Sequence, residues 1–174
     1  MPPYQYSMRW RLYSIIIMRI VAVSDIHGDK KSVYKLIDRE KDRADRVIFL
    51  GDGGRAEDLL ETGFKDKVVY VRGNCDIGGF ADELYLGEEC GIRIFAAHGH
   101  LYNVKYEINT IIEKAKAHGA GILLFGHTHQ PLEKYQDGLY ILNPGSLRRD
   151  MRPSSYGYIE ITPSGILTGI CENN

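Results

Sequence analysis

The sequence predicts an α/β fold in which two β-sheets pack face to face with helices outside. Two observations carry this: short β-branched runs alternate with amphipathic segments through the first half of the 174 residues, and strands dominate the second half. A third observation bears on function. Polar residues recur just past the C-terminal ends of the buried strands, the edge where loops of α/β sheets converge on ligands.

In order, Ile20 to Val23 is short and β-branched, a buried strand ending at Asp25. Lys30 to Arg43 sets Val33, Leu36 and Ile37 on one face, which predicts an amphipathic helix. Val47 to Leu50 is a second buried strand, halted by Gly51-Asp52-Gly53-Gly54, and Arg55 to Glu61 is a short helix. Val68 to Val71 is a third strand, halted by Gly73-Asn74-Cys75-Asp76. Glu83 to Leu86 and Ile92 to Ala97 flank Glu88-Glu89-Cys90-Gly91 as a hairpin, and its second strand runs into His98-Gly99-His100. Val104 to Ala117 carries Ile108, Ile111, Ile112 and Ala115 at helical spacing. Gly121 to Phe125 is a strand that leads into Gly126-His127-Thr128-His129. Leu139 to Leu142, Tyr156 to Ile161 and Ile166 to Ile170 are short strands, with turns at Gly145, Pro163 and Gly165. No repeat or linker divides the chain. A single domain is expected over residues 18–174, with residues 1–17 as an extension ahead of Met18.

The composition, 44% hydrophobic and 26% charged, is that of an ordinary globular protein. A formal charge of -1 argues against nucleic acid as a partner. It leaves a phosphate substrate open, because bound ions supply positive charge that no residue count shows. Cys75, Cys90 and Cys171 match no zinc-knuckle spacing and their odd number makes a poor disulfide framework, so a reducing cytoplasm is expected. The apolar run from Tyr13 to Val23 is too short for a membrane span and contains Arg19. Arg9, Arg11 and Ile15 to Ile17 imitate a signal peptide, but no small-residue cleavage site follows before Ser24-Asp25. No membrane partner is expected, while the twelve tyrosines leave room for a homo-oligomer interface.

Each polar turn has a plain alternative. Asp25-x-His27 reads as a helix cap beside a surface histidine, Gly51-Asp52 and Gly73-Asn74 as turn chemistry, and His98-Gly-His100 as a satisfied core histidine with a surface one. The joint pattern decides against them. All six histidines except His118 fall in these turns, beside Asp25, Asp52 and Asn74. His118 follows a helix, where a cation suits the dipole, and reads as structural. Imidazole is the commonest metal ligand, so Asp25, His27, Asp52, Asn74, His98, His127 and His129 are the candidate ligands. No thiolate is placed for a Cys-rich zinc site. Carboxylate, amide oxygen and imidazole together suit Mn, Fe, Ni, Zn or Co more than a purely oxygen-loving ion; the expected pair is Mn²⁺, with Ni²⁺, Zn²⁺, Fe²⁺, Co²⁺ or Mg²⁺ as alternatives. Seven donors exceed the needs of one ion; a pair of divalent ions sharing Asp52 accounts for the surplus and suits in-line displacement at phosphorus.

In order, Asp25-x-His27, Gly51-Asp52, Gly73-Asn74, His98-Gly-His100 and Gly126-His127-Thr128-His129 resemble the five blocks of the calcineurin-like metallophosphoesterases. Gly-Asn-Cys-Asp at 73–76 and Asn143-Pro-Gly-Ser146 are similar to the YfcE-type branch of small phosphodiesterases, and the likeness runs from about Met18 to the end. The resemblance implies a four-layer α/β/β/α sandwich of two mixed sheets. It also implies a first metal on Asp25, His27, Asp52 and His129, a second on Asp52, Asn74, His98 and His127, and hydrolysis of a small phosphodiester by a metal-bridging hydroxide. Asp52, Asn74, His98 and His100 are then the catalytic set.

One position departs from the pattern. Much of the family has histidine directly after the asparagine, where it helps protonate the leaving group; here it is Cys75, a weak donor. Losing an acid costs about two to four orders of magnitude for a basic leaving group. Activated or diester substrates are therefore expected over alkyl monoesters, with His100 substituting in part as acid. Arg55, Arg148 and Arg149 lie near the site but read as solvated charge. The family also holds nucleases and a retromer subunit that acts as a scaffold with eroded ligands. Every block here keeps its ligand-type residue, which favours an enzyme.

Overall fold

The computed structural model describes residues 18–174; the extension expected at residues 1–17 lies outside the described residues. β1 (Met18–Val23), β2 (Arg46–Phe49) and β3 (Val68–Tyr70) run parallel, joined through α1 (Lys30–Glu40) and α2 (Asp58–Phe64). β9 (Ser155–Thr162) adds antiparallel to β1, and β10 (Gly165–Glu172) to β9, completing a five-stranded sheet. The second five-stranded sheet centres on parallel β5 (Ile92–Ala97), β6 (Ile122–Phe125) and β8 (Leu139–Pro144). β4 (Glu83–Glu89) and β7 (Pro131–Gln136) close its edges antiparallel, and α3 (Asn109–Ala117) links β5 to β6.

Strand alternation sorts the side chains into three apolar layers. Ile20, Ala22, Ile48 and Leu50 face Ile94, Ala96, Ile122, Leu124 and Leu142 between the sheets. Val21, Val23, Val47 and Phe49 turn the other way, onto Val33 and Leu36 of α1 and Leu60 and Phe64 of α2. Phe95, Ala97, Leu123 and Phe125 pack on Ile111, Ile112 and Ala115 of α3. This is the expected four-layer sandwich, and it explains why β1 is buried along its whole length: both faces are covered.

The boundaries show what hydrophobic periodicity misses. Arg55 has φ 67°, which a right-handed helix does not accept, so α2 begins at Asp58 and not at the expected Arg55. The helix expected from Val104 starts only at Asn109, because residues 104–108 continue as turn and loop from the left-handed Asn103 at φ 54°. Val104 still reaches the core from the preceding loop, which is why it imitated the helical period. The β4–β5 hairpin turns on Cys90 and Gly91, both at positive φ. β7 was not expected: its Pro-Leu-Glu-Lys-Tyr-Gln sequence is polar because it is a half-exposed edge strand beginning at Pro131.

Arg19, which breaks the apolar run of β1, is buried in a polar network at the end of the sheet opposite the candidate ligands. Its Nε and an Nη each donate to Glu40 at 2.9 Å, the other Nη pairs with Glu160, and the guanidinium lies 4.7 Å from the ring centre of Tyr158. Tyr156 donates to Glu40 at 2.8 Å. Burial would raise the Glu40 carboxyl, but the hydrogen bonds from Arg19 and Tyr156 hold it below its usual range.

Candidate metal centre

Each candidate ligand sits one to four residues beyond a strand, and backbone hydrogen bonds zip those loops together. Asp25 N–H donates to Gly51 O at 3.0 Å, His27 N–H to Asp52 O at 2.9 Å and Gly28 N–H to Gly53 O at 2.8 Å, which fastens the β1 loop to the β2 loop. The Asp76 carboxylate accepts three amides, from Asp52 at 2.7 Å, Gly53 at 2.8 Å and Gly73 at 2.8 Å, and so ties the β2 loop to the β3 loop. Across the sandwich, Gly126 N–H donates to His98 O at 3.0 Å and His127 N–H to Asp25 Oδ2 at 3.0 Å. Asn143 braces the last loop, donating to Gly126 O at 2.9 Å and Thr128 Oγ1 at 3.0 Å.

Asp25, His27, Asp52, His127 and His129 all have positive φ, between 45° and 66°. A left-handed backbone at non-glycine residues is costly and clusters at functional sites. Gly73 must be glycine for a different reason: a Cβ there would collide with the Asp52 carboxylate.

All seven candidates converge, in two groups. In the first, His129 Nε2 is 3.1 Å from Asp25 Oδ1 and 3.3 Å from His27 Nε2. In the second, His98 Nε2 is 3.2 Å from Asn74 Oδ1 and 3.1 Å from His127 Nδ1. Asp52 lies between them, its Oδ2 3.8 Å from His27 Nε2 and 3.5 Å from His98 Nε2. Its other oxygen accepts the Cys75 N–H at 2.8 Å, which fixes the plane of the carboxylate.

A profile of the Calcineurin-like phosphoesterase superfamily domain matches residues 18–164. The chain belongs to that superfamily. The chain is 33% identical to the probable metallophosphoesterase YsnB of Bacillus subtilis, covering 83% of this chain and 85% of YsnB. It is 26% identical to the phosphodiesterase YfcE of Escherichia coli K12, covering 83% and 88%. A crystal structure of a predicted phosphoesterase from Streptococcus pneumoniae TIGR4 superposes with a TM-score of 0.76 at 28% identity, over 90% of each chain. Vps29 of Entamoeba histolytica in complex with zinc shares the fold alone, with a TM-score of 0.67 at 20% identity over 90% of this chain and 100% of that one.

The donor chemistry of this centre fits cations. His98 Nδ1 lies 2.6 Å from Leu50 O, a carbonyl that only accepts, so the proton is on Nδ1. In the neutral ring, bare Nε2 then faces the acceptor oxygens Asn74 Oδ1 and Asp52 Oδ2 beside a nitrogen of His127, a cluster of lone pairs that a cation would satisfy. Asp25 Oδ1 is buried with no donor aligned on it, despite the nearby His129 ring. Burial, then the neighbouring His98 and Lys105, push the His127 imidazole down to about 4. Burial also lowers His27. For His98, burial lowers the basicity but Asp52 and Asp25 prevail and raise it; Asp52 itself, against its burial, is held well below the carboxylate range by His98 and the Cys75 amide.

The remaining candidates sit around this centre. His100 is half-buried beside it, 5.5 Å from His98 and 6.1 Å from His127 between ring centres, and its Nδ1 has no hydrogen-bond partner. The Cys75 thiol lies with His27 and Asp52 in one potential ligand group, but burial and Asp52 raise it, keeping it protonated. His118 caps α3, donating to Lys114 O at 2.9 Å and stacking on Tyr85 at 4.4 Å. Arg148 and Arg149, set aside as solvated charge, line a cavity with His27, whereas Arg55 is exposed and outside it. Sequence reasoning missed Asp76 and Asn143, which act through backbone groups; the clue was their place in the same turns as the ligands.

Proposed function

We propose that this phosphoesterase is a phosphodiesterase with a binuclear metal centre, Mn²⁺ being the preferred pair. Asp25, His27, Asp52 and His129 hold one ion, and Asp52, Asn74, His98 and His127 hold the other. The observation that carries the reading is Asp52 Oδ2, within 4 Å of an imidazole nitrogen from each group. Bound there, divalent ions supply Lewis-acid polarisation of the phosphoryl oxygens and lower the pKa of water. The second ligand shell orients the first: Leu50 O sets the His98 tautomer and the Cys75 amide sets the Asp52 carboxylate.

Two residues are near enough to meet a leaving group. Burial, with His98 beside it, lowers the His100 imidazole, which favours the neutral ring at neutral pH with Nδ1 unengaged. Cys75 keeps its proton but is a weak donor. Weak acid assistance favours substrates whose leaving group departs without much help, which points to small or activated diesters over alkyl monoesters. The formal charge of -1 favours a small diester over a nucleic acid.

The deciding experiment is hydrolysis of bis-p-nitrophenyl phosphate with Mn²⁺ or Ni²⁺, alongside elemental analysis of the protein. Two bound ions with turnover are expected, together with faster cleavage of a nitrophenyl diester than of an alkyl monoester. Stoichiometric metal without hydrolysis would instead support a protein-binding scaffold.

A further inference from the structure

Beside the centre lies a cavity of about 480 Å³, and His27 contributes to both. Lys30, Lys31, Arg148 and Arg149 line it together with Asp29 and Asp150, an excess of two positive charges. Both carboxylates are already engaged. Asp150 pairs with Arg148, whose Nε donates at 2.8 Å. Asp29 accepts Ser32 Oγ at 3.0 Å and the Arg149 amide at 2.9 Å, with Arg149 Nε 3.7 Å away. Lys30 and Lys31 are exposed and have no anionic partner among the described residues.

The position of those lysines is unfavourable for the fold alone. They occupy the first turn of α1, where a cation opposes the positive end of the helix dipole, and the carboxylate beside them, the N-cap Asp29, is taken up by Ser32 and the Arg149 amide. Across the cavity Arg148 and Arg149 are balanced by Asp150 and Asp29, so the two lysines carry the excess. An anion between the two sets relieves that excess, and a dianion matches its two charges.

We propose that this cavity is a specificity subsite for a phosphate monoester group carried on one arm of the diester substrate. The proposal rests on the phosphodiesterase reading above and narrows its substrate class: a diester whose second phosphate lies beyond the His27 side of the centre. The subsite selects through binding and takes no part in bond cleavage.

A matched pair of probes tests it, thymidine 5'-(p-nitrophenyl phosphate) with and without a 3'-phosphate, on the Mn²⁺-loaded protein. The phosphorylated probe should show a kcat/KM about tenfold higher, mostly through KM, the scale of two solvent-exposed charge contacts. That preference should fall towards unity in Lys30→Glu/Lys31→Glu and shrink as ionic strength rises. A calorimetric comparison of thymidine 3',5'-bisphosphate with thymidine 5'-monophosphate reads the same preference without turnover. If both probes are cleaved equally well by the unmodified protein, the subsite is wrong and the phosphodiesterase reading stands. If neither is cleaved but the bisphosphate binds more tightly and the double substitution abolishes the difference, the subsite stands and the enzymatic reading falls. A preference that survives the double substitution also overturns the subsite.

Discussion

Replacing Asp52 by asparagine keeps the side-chain shape and removes the charge shared by the two ligand groups. Asp52→Asn should abolish most hydrolysis and weaken both ions in a calorimetric Mn²⁺ titration; native affinity at two sites would refute the bridge. Asn74→Ala should weaken the second site more than the first, because its Oδ1 faces only His98. Asp76 offers a test that touches no ligand side chain. Asp76→Ala strands three amides and should cost about 1–3 kcal/mol in denaturant unfolding, with a loss of metal affinity, and Asp76→Asn should recover part of both. At this scale the sequence was most legible where side chains carry the chemistry, because an aspartate or histidine just beyond a buried strand needs a reason to be there. Asp76 and Asn143 were not legible, since their work is done on backbone amides and carbonyls whose positions depend on the finished fold.

Elements were legible wherever both faces of a strand are covered. β1, β2, β3, β5 and β6 announce themselves as apolar runs, whereas β7 has one solvated face and no run to read. Helix starts failed at Arg55, whose left-handed backbone a helix does not accept, and before Asn109, where a turn and loop after the left-handed Asn103 mimic the helical period. Such backbone states are set by packing and leave little trace in composition. The junction after β6 is the tightest of the strand exits: a Cβ on Gly126 would collide with Ser24 Oγ and lie 3.1 Å from Asp25 Oδ2. Gly126→Ala should therefore cost about 1–3 kcal/mol and reduce metal affinity, with Ser24→Ala restoring part of the stability in the double variant; unchanged thermal unfolding would count against this.

For the whole molecule, the counterpart of the metal centre is the Arg19–Glu40 pair at the opposite end of the sheet. Arg19 was visible in the sequence only as a break in an apolar run, since its partners come from α1 and β9. Arg19→Met should destabilise by about 3–5 kcal/mol by leaving the buried Glu40 with the exposed Arg43, 3.8 Å away, in place of its two-pronged partner, and adding Glu40→Leu should recover much of it. The pH dependence follows from the sign of the shift. Glu40 is held below its ordinary value of 4.5, so its contribution is present above that pH and is lost as pH falls through the lower, folded value. An acid unfolding curve should show this loss in the native protein and not in the Arg19→Met/Glu40→Leu double variant. If ions are bound, chelation should lower Tm by an amount that grows with the logarithm of the ion affinity removed.

The two candidate ligand groups draw on both sheets: Asp25, His27, Asp52 and Asn74 follow β1 to β3, and His98, His127 and His129 follow β5 and β6. During synthesis, a polypeptide that has emerged only as far as β4 owns neither imidazole cluster in full. Tight ion capture must then wait until the later half has been translated and docked, so a loaded centre would mark a chain that has finished assembling.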